Sequence, residues 1–128
     1  MTTDQLSALL QREIPLTEAM AIEVIEASAS CVHLRAPLAP NRNLHGTAFA
    51  GSLYTLATLA GWSLVTLLTE ELGLSGAVVL RHADVRYLSP VPDVINARAE
   101  RPDMASCAAF GQQFHQRGKA RKIGRAHV

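Results

Sequence analysis

The sequence predicts an α+β fold in which an antiparallel sheet wraps around one long central helix. Three observations lead there. The stretch from Asn43 to Glu71 reads NLHGTAFAGSLYTLATLAGWSLVTLLTEE, and from Ala48 to Thr69 it carries neither a charge nor a proline. β-pattern lies on both sides of that stretch. The βαβ alternation of a doubly wound sheet is missing, as are G-x-G-x-x-G and Walker motifs, which leaves an antiparallel sheet as the favoured partner of the helix. At 128 residues the chain is one domain of ordinary size, with enough length for a single core.

The elements follow in order. After Thr3, DQLSALLQREI places Leu6, Leu9, Leu10 and Ile14 at helical spacing with Asp4 near the positive end, and Pro15 ends the helix. Ile22, Val24 and Ile25 then precede a Ser/Ala turn at Ala27 to Ser30, and Cys31 to Arg35 alternates as a second strand, so the two read as a hairpin. Pro37 and Pro40 break the chain before the central helix. Thr47 is the expected N-cap of that helix, and Glu70, Glu71, Leu72 and Gly73 close it after about five turns.

Leu53, Leu56, Leu59, Ala60, Leu64, Leu67 and Leu68, with Tyr54, Trp62 and Val65, cover most of the circumference of this helix. Such a helix must be buried, in lipid or in protein. Its length suits a membrane span. Against a span stand Gly51, Ser52, Thr55, Thr58, Gly61, Ser63 and Thr66, the lack of a basic flank, and the β-pattern available as a wrapper. Tyr54 and Trp62 read as core filling rather than as the lining of a tunnel.

Beyond the helix, Ala77 to Tyr87 (AVVLRHADVRY) is a long β-pattern with Val79, Arg81, Ala83, Val85 and Tyr87 on one face. Pro90 and Pro92 make a sharp connection. Val94 to Ala99 is a further strand, with Ile95, Ala97 and Ala99 opposite Val94, Asn96 and Arg98. Asp103 to His115 reads as a short helix, and Gly118 leads into the start of another strand.

A formal net charge of +1 argues against nucleic-acid binding. The cluster Arg117, Lys119, Arg121, Lys122 and Arg125 fits a solvated face or an edge strand protected from aggregation. Cys31 and Cys107 form no CxxC motif, so neither zinc nor a redox centre is expected, and the two read as buried thiols in a reducing cytoplasm. No cofactor and no metal are implied. Residues 1 to 20 lack the apolar core of a signal peptide, and a cytoplasmic location is expected.

One sheet wrapped on one helix describes a hotdog fold, and the residues also carry a resemblance. N-L-H-G-T-A-F-A-G-S-L resembles the loop and helix start of hotdog acyl-CoA thioesterases, with their N-x-x-G-x-x-F-G-G, and V-R-Y-L-S-P-V-P-D-V-I-N-A-R-A resembles their strand-turn-strand with Y-L-x-P. The chain is most similar to the thioesterase family typified by the C-terminal domain of YiiD, which shares H-G-T-x-F-x-G-S-L-Y and a Gly-Trp pair at Gly61 and Trp62. The resemblance covers roughly Pro15 to Arg121. It implies acyl-CoA or acyl-carrier-protein thioesters as substrates and a homodimer or dimer of dimers with sites at the subunit interface.

Thioester hydrolysis needs donors for a developing oxyanion and a means of activating water. The helix start offers free N–H groups around Ala50, Gly51 and Ser52, with Gly46 counted beside them as substrate-binding. One such donor is worth about 3 kcal/mol in a transition state. Gly51 has a structural alternative, letting the helix pack against the sheet. Many related enzymes place an Asp or Glu seven residues after the second glycine, and that position here is Thr58, which can position a water but cannot act as a base. His45 and Asn43 are the substitutes, as a proton acceptor or carbonyl ligand and as an orienting or loop-holding group. Asp84 is expected to pair with Arg81 and Arg86, while His33, His82 and His115 read as ordinary strand or surface residues. The missing carboxylate keeps a second reading open, a non-catalytic module that binds acyl thioesters or dimerises. A hotdog dehydratase is disfavoured, because the helix has no Glu to pair with a His.

The last residues, Ile123 to Val128, read IGRAHV, the translation of a common sequencing adapter in one frame. We therefore expect residues 1–122 to form a single hotdog thioesterase-like domain lacking its last strands, and residues 123–128 to be an adapter-encoded tail. A sheet shortened in this way would leave part of the helix uncovered and open a strand edge, with low stability and weak activity as the expected result.

Overall fold

A computed structural model describes residues 1–117 and 126–127. In chain order the elements are α1 (Thr3–Glu13), α2 (Leu16–Ala19), β1 (Glu23–Ala27), β2 (Cys31–Ala36), a 3-10 turn (Ala39–Asn41), α3 (Ala50–Glu71), β3 (Ile95–Glu100), α4 (Met104–Arg117) and β4 (Ala126–His127). The strands form one antiparallel sheet in the order β1-β2-β3-β4, packed on the long α3. This is the hotdog arrangement of an α+β fold.

Helix α1 starts one residue before the expected position. The Thr2 hydroxyl accepts from the Gln5 N–H at 3.2 Å while the Gln5 side-chain carbonyl accepts from the Thr2 N–H at 2.9 Å, a complete capping box. Its Leu6 and Leu10 are buried against the rest of the core. The hairpin forms as expected, its turn held by the Ser28 hydroxyl, which accepts from the N–H groups of Ser30 and Cys31. A register shift between Val24 and Glu26 bulges β1.

On the inner face of the sheet, Val32, Leu34 and Ala36 of β2 and Ile95, Ala97 and Ala99 of β3 are all completely buried. The register sets Leu34 opposite Ala97 and Val32 opposite Ala99. Against this large-with-small pairing α3 packs Leu56, Leu59, Ala60, Leu64 and Leu67, with Ser63 and Leu68 also buried along the helix. These positions recur at helical spacing, so they form one stripe rather than a full circumference. The expectation of burial all round is thus corrected: Tyr54, Ala57, Thr58, Gly61, Trp62, Val65 and Thr66 are only half-buried. Although α3 is long and apolar enough to cross a membrane, its packing on the sheet makes it the core helix of the domain.

The β-pattern of Ala77 to Tyr87 does not become a strand. Among the described residues this segment has no ladder partner, and a strand exists only where a neighbour receives its backbone groups. The segment is instead tied to α3 at both ends: the Trp62 indole N–H donates to the Val78 carbonyl at 2.8 Å, and the Tyr87 hydroxyl donates to the Ala50 carbonyl at 3.2 Å. The later elements match expectation, with strict in-out alternation in β3 and a helix at α4. The strand expected after Gly118 lies mostly outside the described residues. Ala126 and His127, which fall in the 123–128 segment, pair with Ala99 and Arg98. Cys31 and Cys107 are both free and buried.

Candidate active site at the start of the central helix

The approach to α3 is a tight loop organised by Asn43. Its side-chain carbonyl accepts from the N–H groups of His45 at 2.8 Å and Thr47 at 3.1 Å, and its amide donates to the Thr47 hydroxyl at 2.8 Å. The backbone closes the same loop through Asn43 N–H to the Thr47 carbonyl at 2.7 Å. Gly46 occupies φ +77°, a left-handed conformation for which glycine has no steric penalty. Two further bonds clamp the exit: Ala48 N–H to the Val91 carbonyl at 2.8 Å and Phe49 N–H to the Asn41 carbonyl at 2.7 Å. Asn41 is itself buried, donating from its side chain to the carbonyls of Met20 and Pro37.

Thr47 is not the cap. Its hydroxyl is engaged with Asn43, and the N-cap position falls to Phe49, at φ −65° and ψ 134° with no side-chain cap bond. The first intrahelical bond runs from Leu53 N–H to the Phe49 carbonyl at 3.1 Å. Consequently the N–H groups of Ala50, Gly51 and Ser52 have no hydrogen-bond partner among the described residues, and they open from the positive end of the helix dipole. An arrangement of this kind receives a negatively charged oxygen.

The Phe49 ring folds back over Gly51. A Cβ built on Gly51 would fall 2.4 Å from Cε2 of that ring and 3.1 Å from Cδ2 and Cζ. The close approach at Gly51 is therefore to the Phe49 ring, not to the sheet. Sequence reasoning passed over both this ring and Tyr87, although each stands inside a motif it singled out, F-A-G and Y-L-S-P.

The other expected residues divide. Asn43, His45, Gly46, Ala50, Gly51 and Ser52 lie together in the loop and first turn. Asn43 has its side-chain atoms committed to holding the loop. The imidazole of His45 is exposed and makes no hydrogen bond among the described residues, while its backbone N–H is held by Asn43. Thr58 is half-buried and stands eight residues along α3 from Ala50, about 12 Å away along the axis. No Asp or Glu occurs in α3 before Glu70. Asp84 lies 3.1 Å from the His82 ring rather than against Arg81 and Arg86, and both partners are strongly exposed, which corrects the expected pairing. His33 bonds Asn96 at 2.8 Å on the outer face of the sheet. Among the described residues no cluster of His, Cys, Asp or Glu could hold a metal.

Comparison with known proteins agrees with this geometry. The profile of the family described as "Putative thioesterase (yiiD_Cterm)" matches residues 3–128. The chain belongs to this thioesterase family. Among solved structures, a protein of unknown function from Chlorobaculum tepidum is 33% identical over 93% of this chain and 76% of its own, with a TM-score of 0.87. A "putative thioesterase" from Shewanella oneidensis is 39% identical over 78% of this chain and 74% of its own, at TM-score 0.74. A Pseudomonas aeruginosa protein of unknown function, described as a probable thioesterase, shares the fold at 24% identity, covering 94% and 78%, at TM-score 0.76. Family membership and fold agree on thioesterase activity in general.

Proposed function

We propose that the chain hydrolyses acyl thioesters of CoA or acyl carrier protein at the start of α3. The observation that carries this is the row of unpartnered N–H groups at Ala50, Gly51 and Ser52 in a chain of a thioesterase family. In this reading the thioester carbonyl oxygen lies on those groups. Water adds to the carbonyl carbon, the tetrahedral oxyanion is held by the same donors, and the C–S bond breaks to give a carboxylic acid and a thiol. His45 receives the proton of the attacking water and returns it to the leaving sulfur. Asn43 fixes the loop that carries His45, Gly46 supplies its left-handed bend, and Thr58, on the third turn, orders water farther along α3 rather than at the carbonyl itself.

Free-thiol release from octanoyl- and palmitoyl-CoA, and from the same acyl groups on carrier protein, tests this. Release above buffer that is lost in His45→Ala supports it, and no release from any of them rejects hydrolysis. A specific observation favours the second reading, a binding module without turnover: α3 has no carboxylate before Glu70, and the His45 ring has no orienting partner among the described residues.

We further propose a cytoplasmic homodimer, or a dimer of dimers, built on the segment after α3. Val79, Leu80, Val85, Tyr87 and Leu88 are exposed there, and the half-buried outer face of α3 lies beside them. Antiparallel pairing of two copies about Ala83 would set each His82 opposite the other copy's Asp84 and complete a ladder for both. Light scattering that reports only monomer at micromolar concentration would reject the dimer.

A further inference from the structure

The half-exposed ring of Phe49 is not explained by packing. Phe49 is 53% exposed, yet both its backbone groups are held, with the N–H on the Asn41 carbonyl and the carbonyl on Leu53 N–H. Asn41 is anchored in turn by two side-chain bonds to Met20 and Pro37. One side of the ring rests against Gly51, where an added Cβ would meet it at 2.4 Å, which sets the ring at the first turn of α3, the turn with the open N–H groups of Ala50, Gly51 and Ser52. An apolar surface fixed beside a row of donors presents two kinds of contact to one ligand.

We propose that Phe49 is a substrate-positioning residue that seats the acyl chain of the thioester and sets its length preference. This rests on the thioesterase reading above. With the carbonyl oxygen on the N–H row, the carbons next to it lie within reach of the ring, and an apolar chain removes the ring's free face from water. The pantetheine arm is lined with amides and suits that face poorly, and the adenine is far away at its other end. Gly51 has a defined part in this arrangement, because any side chain there must push the ring aside. The class of substrate is thus an acyl group with several methylenes adjacent to the carbonyl, rather than acetyl.

The test measures kcat/KM for octanoyl-CoA and acetyl-CoA, and calorimetric binding of the non-hydrolysable ketones S-(2-oxononyl)-CoA and S-(2-oxopropyl)-CoA, which keep the carbonyl, in the full chain and in Phe49→Ala, Phe49→Leu and Gly51→Ala. Phe49→Ala is expected to lower the octanoyl-to-acetyl ratio by about tenfold, the scale of one aromatic face returned to water. Gly51→Ala shifts the ratio the same way by displacing the ring, and Phe49→Leu keeps most of it by keeping an apolar wall. An equal loss on both acyl lengths in Phe49→Ala overturns the proposal, since the ring would then serve only the loop. Absence of turnover in the unmutated chain rejects hydrolysis. In that case the ketones decide: S-(2-oxononyl)-CoA binding that weakens in Phe49→Ala upholds the seat, and binding that does not change overturns it.

Discussion

Replacing Asn43 by alanine removes a group that organises the whole approach to α3. Two N–H donors, on His45 and Thr47, lose their acceptor, and the Thr47 hydroxyl loses its donor. Each bond contributes about 1 kcal/mol net when both partners are otherwise satisfied. The loop is partly exposed, so water replaces some of what is lost, and the expected destabilisation is about 2 kcal/mol. For a chain of this size that lowers Tm by roughly 8 °C. Circular dichroism melts of the wild type, Asn43→Ala and Asn43→Asp measure it. The aspartate keeps an acceptor for both N–H groups and can accept from the Thr47 hydroxyl, so it should recover more than half of the loss. A Tm for Asn43→Ala within about 1 °C of wild type, or an aspartate variant no better than alanine, refutes the reasoning that this side chain holds the loop.

Leu56→Ala, at a position with no exposed surface between α3 and the sheet, should cost about 3 kcal/mol in urea unfolding. Trp62→Phe removes the 2.8 Å bond to the Val78 carbonyl, so limited proteolysis within residues 76–80 should quicken while β2 and β3 stay as resistant as in the wild type. Burial, reinforced by the nearby Glu26 carboxylate, holds the Cys31 thiol above its ordinary value of 9.0. The folded form therefore keeps the proton to higher pH than the unfolded form. Its contribution to stability is complete below pH 9.0 and declines as pH rises beyond it, so the stability difference between wild type and Cys31→Ala should shift against the wild type from about pH 8 to about pH 10.

Much of the fold was legible because its signals are local. Leu6 and Leu10, the Ser-rich turn after Ala27, the uncharged run of α3 and the alternation of β3 each report on neighbours within a few residues. What was not legible depends on residues distant in sequence. The Ala77–Tyr87 pattern is a good strand sequence, but a strand also needs a ladder partner, and its own residues do not specify one. The bulge in β1 is likewise set by pairing, not by composition. At the candidate site, the loop and the free N–H groups followed from N-L-H-G-T and the helix start. The cap position moved from Thr47 to Phe49, and the Thr47 hydroxyl is instead held by Asn43, four residues before it. The ring over Gly51 depended on a rotamer that no local pattern encodes.

The buried side chain of Asn41 has a wider consequence. Its amide donates to the carbonyls of Met20, in the turn after α2, and Pro37, at the chain break, while the backbone carbonyl of the same residue accepts from Phe49 N–H at the start of α3, so the three share one small hydrogen-bonded node. Opening any of the three exposes the other two, so they form a single cooperative unit for hydrogen exchange. Occupancy of the α3 terminus by a ligand should then be read as slowed exchange in the amino-terminal turn, at residues that never touch the ligand.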